Sequence, residues 1–478
     1  MAFELLLPTT ASRAHTVVSG PVLPVEMSQS KVADIEALIE GQKFGWFRAW
    51  VLFWSCVLML FEGYDMQAAA HAAPSIIQAW HINKASFGPV FGLGLFGYMI
   101  GATLLSNLAD RIGRKPVIIG GAFLFGVFTL ATAFATSLSA LLVLRFIAGI
   151  GLGGSIPTVI ALAVDYTPSR THATMISVLF AGYTIGATLG GVIAARLIPR
   201  FGWPIVFYVG GIAPILLAAI LIPAIPESVS FLALQRNRPD RVTSILAKLR
   251  RDQTFDRNTK FVLRNERQDG LPARHLFTEG RATMTLLLWF AFVVSLLGHH
   301  LLTSWLPTIL VGTGVPLAHA LNAGALLQGG GTVGGLIMCR LLDKRGISAI
   351  AIAFAAAAPL ILLIGVAGRS DVPLMPLVFL SGVASIGGQT GLQGISGTFY
   401  PTYIRSTGTG WANGVGRIGS ILGPVLGGVL ISLGTSSSLL FCYASVPVLC
   451  CAGALFLLGK TPEAKARCPR SPSVVMSA

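Results

Sequence analysis

The chain has 478 residues, of which 54% are hydrophobic and 11% charged, with a mean hydropathy of +0.75. A soluble domain carries about 25% charged residues, so this composition, with its 55 glycines, excludes a water-soluble globule and points to a polytopic helical membrane protein. The formal net charge of +15 sits in connections between apolar runs. No stacking module or groove-reading motif accompanies it, so it calls for no nucleic-acid partner.

Twelve apolar runs follow one another, near 49–77, 86–108, 116–135, 138–163, 173–196, 203–225, 283–307, 319–342, 347–368, 373–399, 406–431 and 436–458. Each is close to the roughly 20 residues that span a bilayer as a helix. The fold class is therefore all-α and membrane-embedded, in five segments: an N-terminal extension (1–45), a six-helix bundle (46–225), a linker (226–282), a second six-helix bundle (283–459) and a tail (460–478).

Residues 1–26 hold a short apolar patch, FELLL, then Pro- and Ser-bearing sequence without periodicity or the basic n-region of a signal peptide. An amphipathic lead-in begins at Met27, so 1–26 reads as an over-long start or a disordered extension.

The first run contains FEGYD. Glu62 and Asp65 are three apart and share a helix face. Counted from Arg48 at 1.5 Å per residue they lie about 20–25 Å along the axis. An ionised acid there costs roughly 2.5–3.5 kcal/mol on insertion scales, and neighbouring carboxylates resist joint ionisation. The pair reads as a proton carrier, with Asp65 as the coupling site and Glu62 assisting. The structural alternative is an acid that caps or pairs with a neighbouring helix.

The second run ends in SNLADRIGRK, which puts Asp110, Arg111, Gly113 and Arg114 at a membrane mouth; Asp165 ends the fourth. Arg145 opens RFIAGIGLGG inside the fourth run and reads as a coupling partner of the acids or an interface anchor. Glycines four apart, as at Gly149 and Gly153, Gly182, Gly186 and Gly190, and Gly419, Gly423 and Gly427, suit close helix packing. The linker holds PESVSFL and a basic helical pattern, RNRPDRVTSILAKLRRD.

In the seventh run His299 and His300 are adjacent, so at most one faces a given cavity, as a proton relay or as a hydrogen-bonded interface group. Gln328 lies in the eighth, which ends in CRLLDKRGIS with Asp343 and Arg345. Gln389 and Gln393 are four apart in the tenth and share a face, as ring-hydroxyl readers or as interhelical glue. Arg405 and Trp411 open the eleventh, and Arg417 lies near its middle. A guanidinium keeps its charge, so Arg417 needs a partner or a wet cavity: either a carboxylate ligand in its bidentate fork or a salt bridge to Glu62 or Asp65. Tyr64, Trp305, Phe399 and Trp411 are candidates to stack on an aromatic ring.

Lys and Arg cluster in alternate connections: Arg111, Arg114 and Lys115, then Arg170, the linker, Arg340, Lys344 and Arg345, Arg405, and the tail. The opposite connections carry Lys84, Arg196, Arg200 and Arg369. The positive-inside rule assigns the rich side, with both termini, to the cytoplasm. The six cysteines show no metal-ligand spacing, and five lie in or at apolar spans as small hydrophobes. No nucleophile–base set stands out, so an enzyme, a metal site and a cofactor are not expected.

The two halves repeat. Asp110 and Asp343 match after the second and eighth runs, RFIAGIGLGG and FLSGVASIGG match in the fourth and tenth, and GATLGG and GPVLGG in the fifth and eleventh. A displaced repeat in the same topology is the signature of a transporter whose site lies near the midplane between its halves.

LADRIGRK, RFIAGIGLGG and PESVSFL resemble the loop 2–3, helix 4 and helix 6 motifs of the major facilitator superfamily. EGYD, SWLPTIL and YPTYIRSTGTGWANGVGRIGSILGPVLGG more narrowly resemble the aromatic acid:proton symporter family, from Met27 to about Lys460. The loop motif departs at Ser106, usually Gly, and Glu62 stands where Asp is frequent. The resemblance implies a bacterial inner-membrane importer of benzoate- or hydroxybenzoate-type anions, coupled to protons. It implies a proton-coupling role for Arg145, beside Asp65 and Glu62; the residues themselves offer Arg417, Gln389, Gln393, Gln328, Tyr64, Trp411 and His300 as substrate contacts. It also implies a charge latch between the halves from Asp110, Arg111, Gly113, Arg114, Asp165, Asp343, Arg345 and Arg405. The expected partners are the aromatic acid anion, protons and the lipid bilayer, with a monomeric chain. The rival readings are an exporter of the same fold, disfavoured because helix 5 lacks the Pro of GPxxGG, an importer of a non-aromatic organic acid, and a membrane sensor of aromatic acids.

Overall fold

The computed structural model describes residues 32–34, 39–40, 45–168, 171–234, 243, 245, 260–262, 272–278, 280–367, 374–396, 399–400 and 404–461. The expectations for the N-terminal extension up to residue 31, Arg170, most of the basic linker pattern, Arg369 and the tail beyond 461 fall outside the described residues, as do the side chains of Cys339, Asp343 and Arg405.

Among the described residues 12 helices are long and apolar enough to cross a membrane. They are α1 (Trp46–Trp80), α2 (Phe87–Ile112), α3 (Arg114–Thr132), α4 (Leu138–Asp165), α5 (His172–Phe201), α6 (Pro204–Ala224), α7 (Ala282–Gly312), α8 (Leu317–Arg345), α9 (Ile347–Ala367), α10 (Leu374–Ser396), α11 (Arg405–Ser432) and α12 (Ser437–Lys460). Each coincides with one apolar run, extended by a turn or so where polar residues carry the helix past the hydrocarbon. A short helix, Val229–Leu234, follows α6. Val32–Asp34 pairs in parallel with Lys260–Val262, with Val32 opposite Lys260.

Local chemistry sets the ends. α1 stops at His81, whose φ of 51° is left-handed, and Asn83 then accepts from Ala85 N at 2.9 Å to start the turn into α2. Ser137 accepts from Ala140 N and Ser436 from Leu439 N, capping α4 and α12. At 35 residues α1 is about 52 Å long, well beyond a hydrocarbon core of about 30 Å. Glu62 and Asp65 fall at its middle.

The halves are built alike. In the first, α1 packs on α5 and α2 on α4; in the second, α7 packs on α11 and α8 on α10. Small residues make these contacts, because no hydrophobic force draws helices together in lipid. A Cβ at Gly186 of α5 would lie 1.8 Å from Leu60 O of α1, and one at Gly419 of α11 would lie 1.9 Å from Val293 O of α7.

The side bearing the basic connections differs from the opposite one. Opposite the basic side the halves touch backbone to backbone: a Cβ at Gly88 of α2 would come within 3.2 Å of Gly428 Cα of α11, and one at Gly191 of α5 within 2.8 Å of Ala325 Cβ of α8. Trp305 Nε1 donates to Pro424 O at 2.9 Å, and its ring meets Phe91 edge-on at 5.4 Å. One continuous apolar core joins Ile76, Phe87, Phe91 and Phe207 of the first half to Phe292, Trp305 and Leu321 of the second. Toward the basic side, Leu58, Ile118, Phe125, Ile156, Leu162 and Leu217 form a separate core. There Leu104, Leu108 and Ile112 of α2 are exposed, and nothing lies within 4 Å of a Cβ at Gly410 or Gly414 of α11. The close backbone approach of the halves is on the side opposite the basic connections.

Gly186→Leu would drive α1 from α5, and overpacking of this kind costs typically about 1–3 kcal/mol. The expected outcome is a lower unfolding midpoint of the purified protein, checked by thermal unfolding beside Gly453→Leu, where no atom lies within 4 Å of the added Cβ.

Candidate functional site

Two acids and two arginines from three helices lie near the midplane, and they are not equivalent. Arg145 Nη1 donates to both oxygens of Asp65, at 3.3 and 3.4 Å, and Thr129 of α3 donates to Asp65 Oδ1 at 2.7 Å. Arg145 Nη2 donates to the same Thr129 hydroxyl at 2.7 Å, and its Cζ stands 5.2 Å from the centre of the Phe207 ring. Asp65, Arg145 and Thr129 are 2%, 5% and 0% exposed. The structure thus brings the α1 acid and the α4 arginine together, deep in the first half; Arg145 is no interface anchor.

Glu62, one turn nearer the basic side, is fully buried, and neither carboxyl oxygen has a hydrogen-bond partner. The neighbouring Ser155 hydroxyl donates instead to Gly151 O at 3.1 Å. Arg417 of α11 is half-buried and, among the described residues, has no carboxylate within ion-pair distance. Its partner is Tyr98 of α2: Nη2 donates to Tyr98 Oη at 3.2 Å, and Cζ stands 4.3 Å from the ring centre. The expected alternative of a salt bridge to Glu62 or Asp65 is not formed here.

Asp65, Arg145, Tyr98 and His300 line one cavity of about 50 Å³ between the halves, with Gln67, Phe91, Thr303 and Ser304. About 10–15 Å³ admits one water, so this space suits a few waters and no aromatic ring. Arg417 contributes no surface to it; Tyr98 stands between. His299 lines a different, smaller cavity with Ser295, Phe354 and Ser385. The adjacent histidines line different cavities, although their rings meet edge-on with centroids 4.9 Å apart.

The remaining substrate candidates divide. Gln389 is 6% exposed with both amide atoms unpartnered, and Gln328 is 3% exposed. Both are buried polar groups with capacity to spare. Gln393, four residues on, is half-buried. Tyr64 is not offered to the cavity: its hydroxyl donates to Val206 O at 3.1 Å and its ring fills the space over Gly190 and Gly210. Trp411 stacks on Trp289, centroids 5.7 Å apart, and is 47% exposed on the outer surface. Six residues at 100° each put it about 120° around α11 from Arg417, which aromatic character alone did not reveal.

At the basic mouth, Arg114 pairs with Asp165 and donates to Ala161 O at 2.9 Å. Ser228 and Ser230 donate to the same Asp165 carboxylate. Glu227, which sequence reasoning left inside PESVSFL without a role, accepts from the backbone N–H of Arg114 (2.9 Å), Lys115 (3.2 Å) and Ser228 (2.8 Å). It caps the N-terminus of α3, where orphan N–H groups and the helix dipole favour a carboxylate. Gly113 is held at φ 108°, and a Cβ there would meet Glu227 Oε2. Asp110 and Arg111 are exposed on α2, and Arg345 is exposed at the end of α8. The Arg114–Asp165 pair lies within the first half; it does not cross to the second.

Two similar six-helix halves, closed on one face and meeting over buried charges at the midplane, define a secondary transporter. The profile of the Major Facilitator Superfamily matches residues 55–370. The chain is 35% identical over 428 residues to the gallate transporter of Pseudomonas putida, covering 89% of this chain and 95% of that one. It is 34% identical over 439 residues to the 4-hydroxybenzoate transporter PcaK of Pseudomonas aeruginosa (91% and 97%) and 30% identical over 436 residues to the benzoate transport protein of Acinetobacter baylyi (90% and 93%). The crystal structure of a bacterial homolog to the human lysosomal transporter Spinster, inward-facing and occupied, matches with a TM-score of 0.65 at 17% identity, over 90% of this chain and 100% of that one. It shares the fold. The protein belongs to the major facilitator superfamily and is a multi-pass membrane transporter, not an enzyme.

Breaking a buried ion pair strands its partner and costs about 3–5 kcal/mol. Asp65→Asn and Arg145→Gln should each destabilise the protein on that scale. The double variant should lose clearly less than the sum, which a double-mutant cycle of unfolding midpoints will read.

Proposed function

We propose that this protein imports an aromatic carboxylate, of the hydroxybenzoate or benzoate class, together with protons by alternating access. The observation that carries the reading is the imbalance among the midplane charges. Asp65 and Arg145 satisfy each other, which leaves one carboxyl without a cation, Glu62, and one guanidinium without a carboxylate, Arg417. A buried carboxyl without a cation is least costly in its protonated form, so Glu62 holds the proton in this state. Asp65 exchanges with it when Arg145 releases its grip. Arg417 takes the substrate's carboxylate in its fork, with Gln389 and Gln328 within the second half as readers of ring substituents.

The names of the relatives supply the substrate class: gallate, 4-hydroxybenzoate and benzoate share an aromatic ring bearing a carboxylate. The basic side is the cytoplasmic one by the positive-inside rule, with both termini there and the chain in a bacterial inner membrane as a monomer. The basic side is then the release face. The anion and proton enter from outside, the halves rock, and both leave inward. Asp110, Arg111 and the Arg114–Asp165 pair at this mouth latch it shut in the opposite state.

The test is uptake of labelled 4-hydroxybenzoate and benzoate into cells expressing the protein. Accumulation should collapse with a protonophore; gradient-insensitive accumulation would end the coupling claim, and lowered cellular content would reverse the direction. Glu62→Gln should keep substrate exchange but lose uphill accumulation, and Arg417→Gln should lose both. At equal expression, Asp110→Asn should slow uptake several-fold; an unchanged rate would remove Asp110 from the latch.

A further inference from the structure

We propose that Tyr98 is a positioning residue that occupies Arg417 in the substrate's absence and is displaced from it by the incoming carboxylate. The inference rests on the reading of Arg417 as the anion site and adds to it an exchangeable partner within the protein.

Both side chains leave from fixed roots. A Cβ at Gly153 of α4 would lie 1.9 Å from Tyr98 O, and one at Gly149 3.1 Å from Tyr98 N, so the α2 backbone at Tyr98 is pressed onto α4. Gly416 and Gly419 seat α11 as closely on Phe292 and Val293 of α7. Tyr98 is 2% exposed. The contact is therefore not a chance pose of long surface side chains.

Arg417 uses both parts of the phenol, its hydroxyl at 3.2 Å and its ring face at 4.3 Å. Together these satisfy a guanidinium with a neutral group. Glu62 and Tyr183 lie within electrostatic reach of the same phenol. Were Arg417 to pair with Glu62 instead, the anion site and the proton site would cancel each other. A phenol oxygen is a weaker acceptor than a carboxylate, and it takes one of the guanidinium's donors where a carboxylate takes two in a bidentate fork. The substrate wins Arg417 from Tyr98 where it would not readily win it from Glu62.

The contact also crosses the molecule, from α2 in the first half to α11 in the second, on the basic side of the Gly88–Gly428 closure. Taking Arg417 removes one tie between the halves, so loading loosens the empty state.

The experiment measures, by calorimetry on the purified full chain, the affinity of benzoate, 4-hydroxybenzoate and gallate for wild type, Tyr98→Phe, Tyr98→Leu and Arg417→Gln. Tyr98→Phe removes the competing hydrogen bond and should tighten the best-bound acid about threefold to tenfold, with Tyr98→Leu, the second variant, moving the same way. Damage to the fold does not produce a gain in affinity. Unchanged or weaker binding in whichever of the two variants is monodisperse would overturn the proposal. Loss of binding in Arg417→Gln with no gain in the Tyr98 variants would sink the Tyr98 role alone. Wild-type binding in Arg417→Gln, or no binding of any acid to wild type, would sink the anion-site reading and this inference with it.

Discussion

A hydrocarbon interior has no water with which to settle a charge. Every ionisable group placed there must be neutralised, paired or set beside a cavity. The arrangement at the midplane follows from that constraint. Asp65 is held by Arg145 and Thr129, Arg145 is further backed by the Phe207 ring, and Arg417 leans on the Tyr98 phenol. Of the four, Glu62 is enclosed without a cation among the described residues, with the Ser155 hydroxyl beside it. A protein that needed only stability would replace these groups by apolar ones at little loss. Keeping two acids and two arginines, unevenly matched, makes sense where protons and an anion must each find one vacant counterpart in turn.

The seam between the halves gives that chemistry a direction. On the closed side the contact is glycine on glycine and glycine on alanine, with a continuous apolar core behind it. On the basic side the cores are separate, and the mouth is edged by charges whose partners sit in the same half. Arg114, Asp165, Ser228 and Glu227 fasten the end of α4, the start of α3 and the linker into one unit. A unit so fastened is what the rocking proposed above would require of its edge. The midplane cavity beside these charges is about 50 Å³; a larger one, of about 590 Å³, lies between α5 and α8 beside Thr188, His319 and Asn322.

Much of this was legible in the chain. Periodic apolar runs marked the twelve helices to within a few residues, because a bilayer sets both length and composition. Glu62, Asp65, Arg145 and Arg417 stood out because charge is rare at such depth. Tyr64 and Trp411 were misread for one reason: an aromatic side chain is at home at any depth, and only the rotational phase of its helix against its neighbours decides what it faces. Tyr64 fills the first bundle and Trp411 stacks on Trp289. Tyr98, Thr129 and Glu227 were passed over. Tyr98 had a signal, a lone polar aromatic in the glycine-rich run GLGLFGYMIG. Thr129 had none, since a threonine in an apolar helix ordinarily bonds its own backbone.

The sequence by itself determined the class of protein, the number and order of its helices, the internal repeat and the short set of charges that lie at membrane depth. Each of these is a property of composition or spacing along one chain, and lipid punishes departures locally. Only the tertiary structure decided which charges meet. Asp65 and Arg145 are 80 residues apart in the chain, and Arg417 and Tyr98 are 319 apart. Their pairing depends on how four helices approach and turn toward one another. That approach is set by glycine contacts distributed over the whole molecule, and no local pattern encodes it.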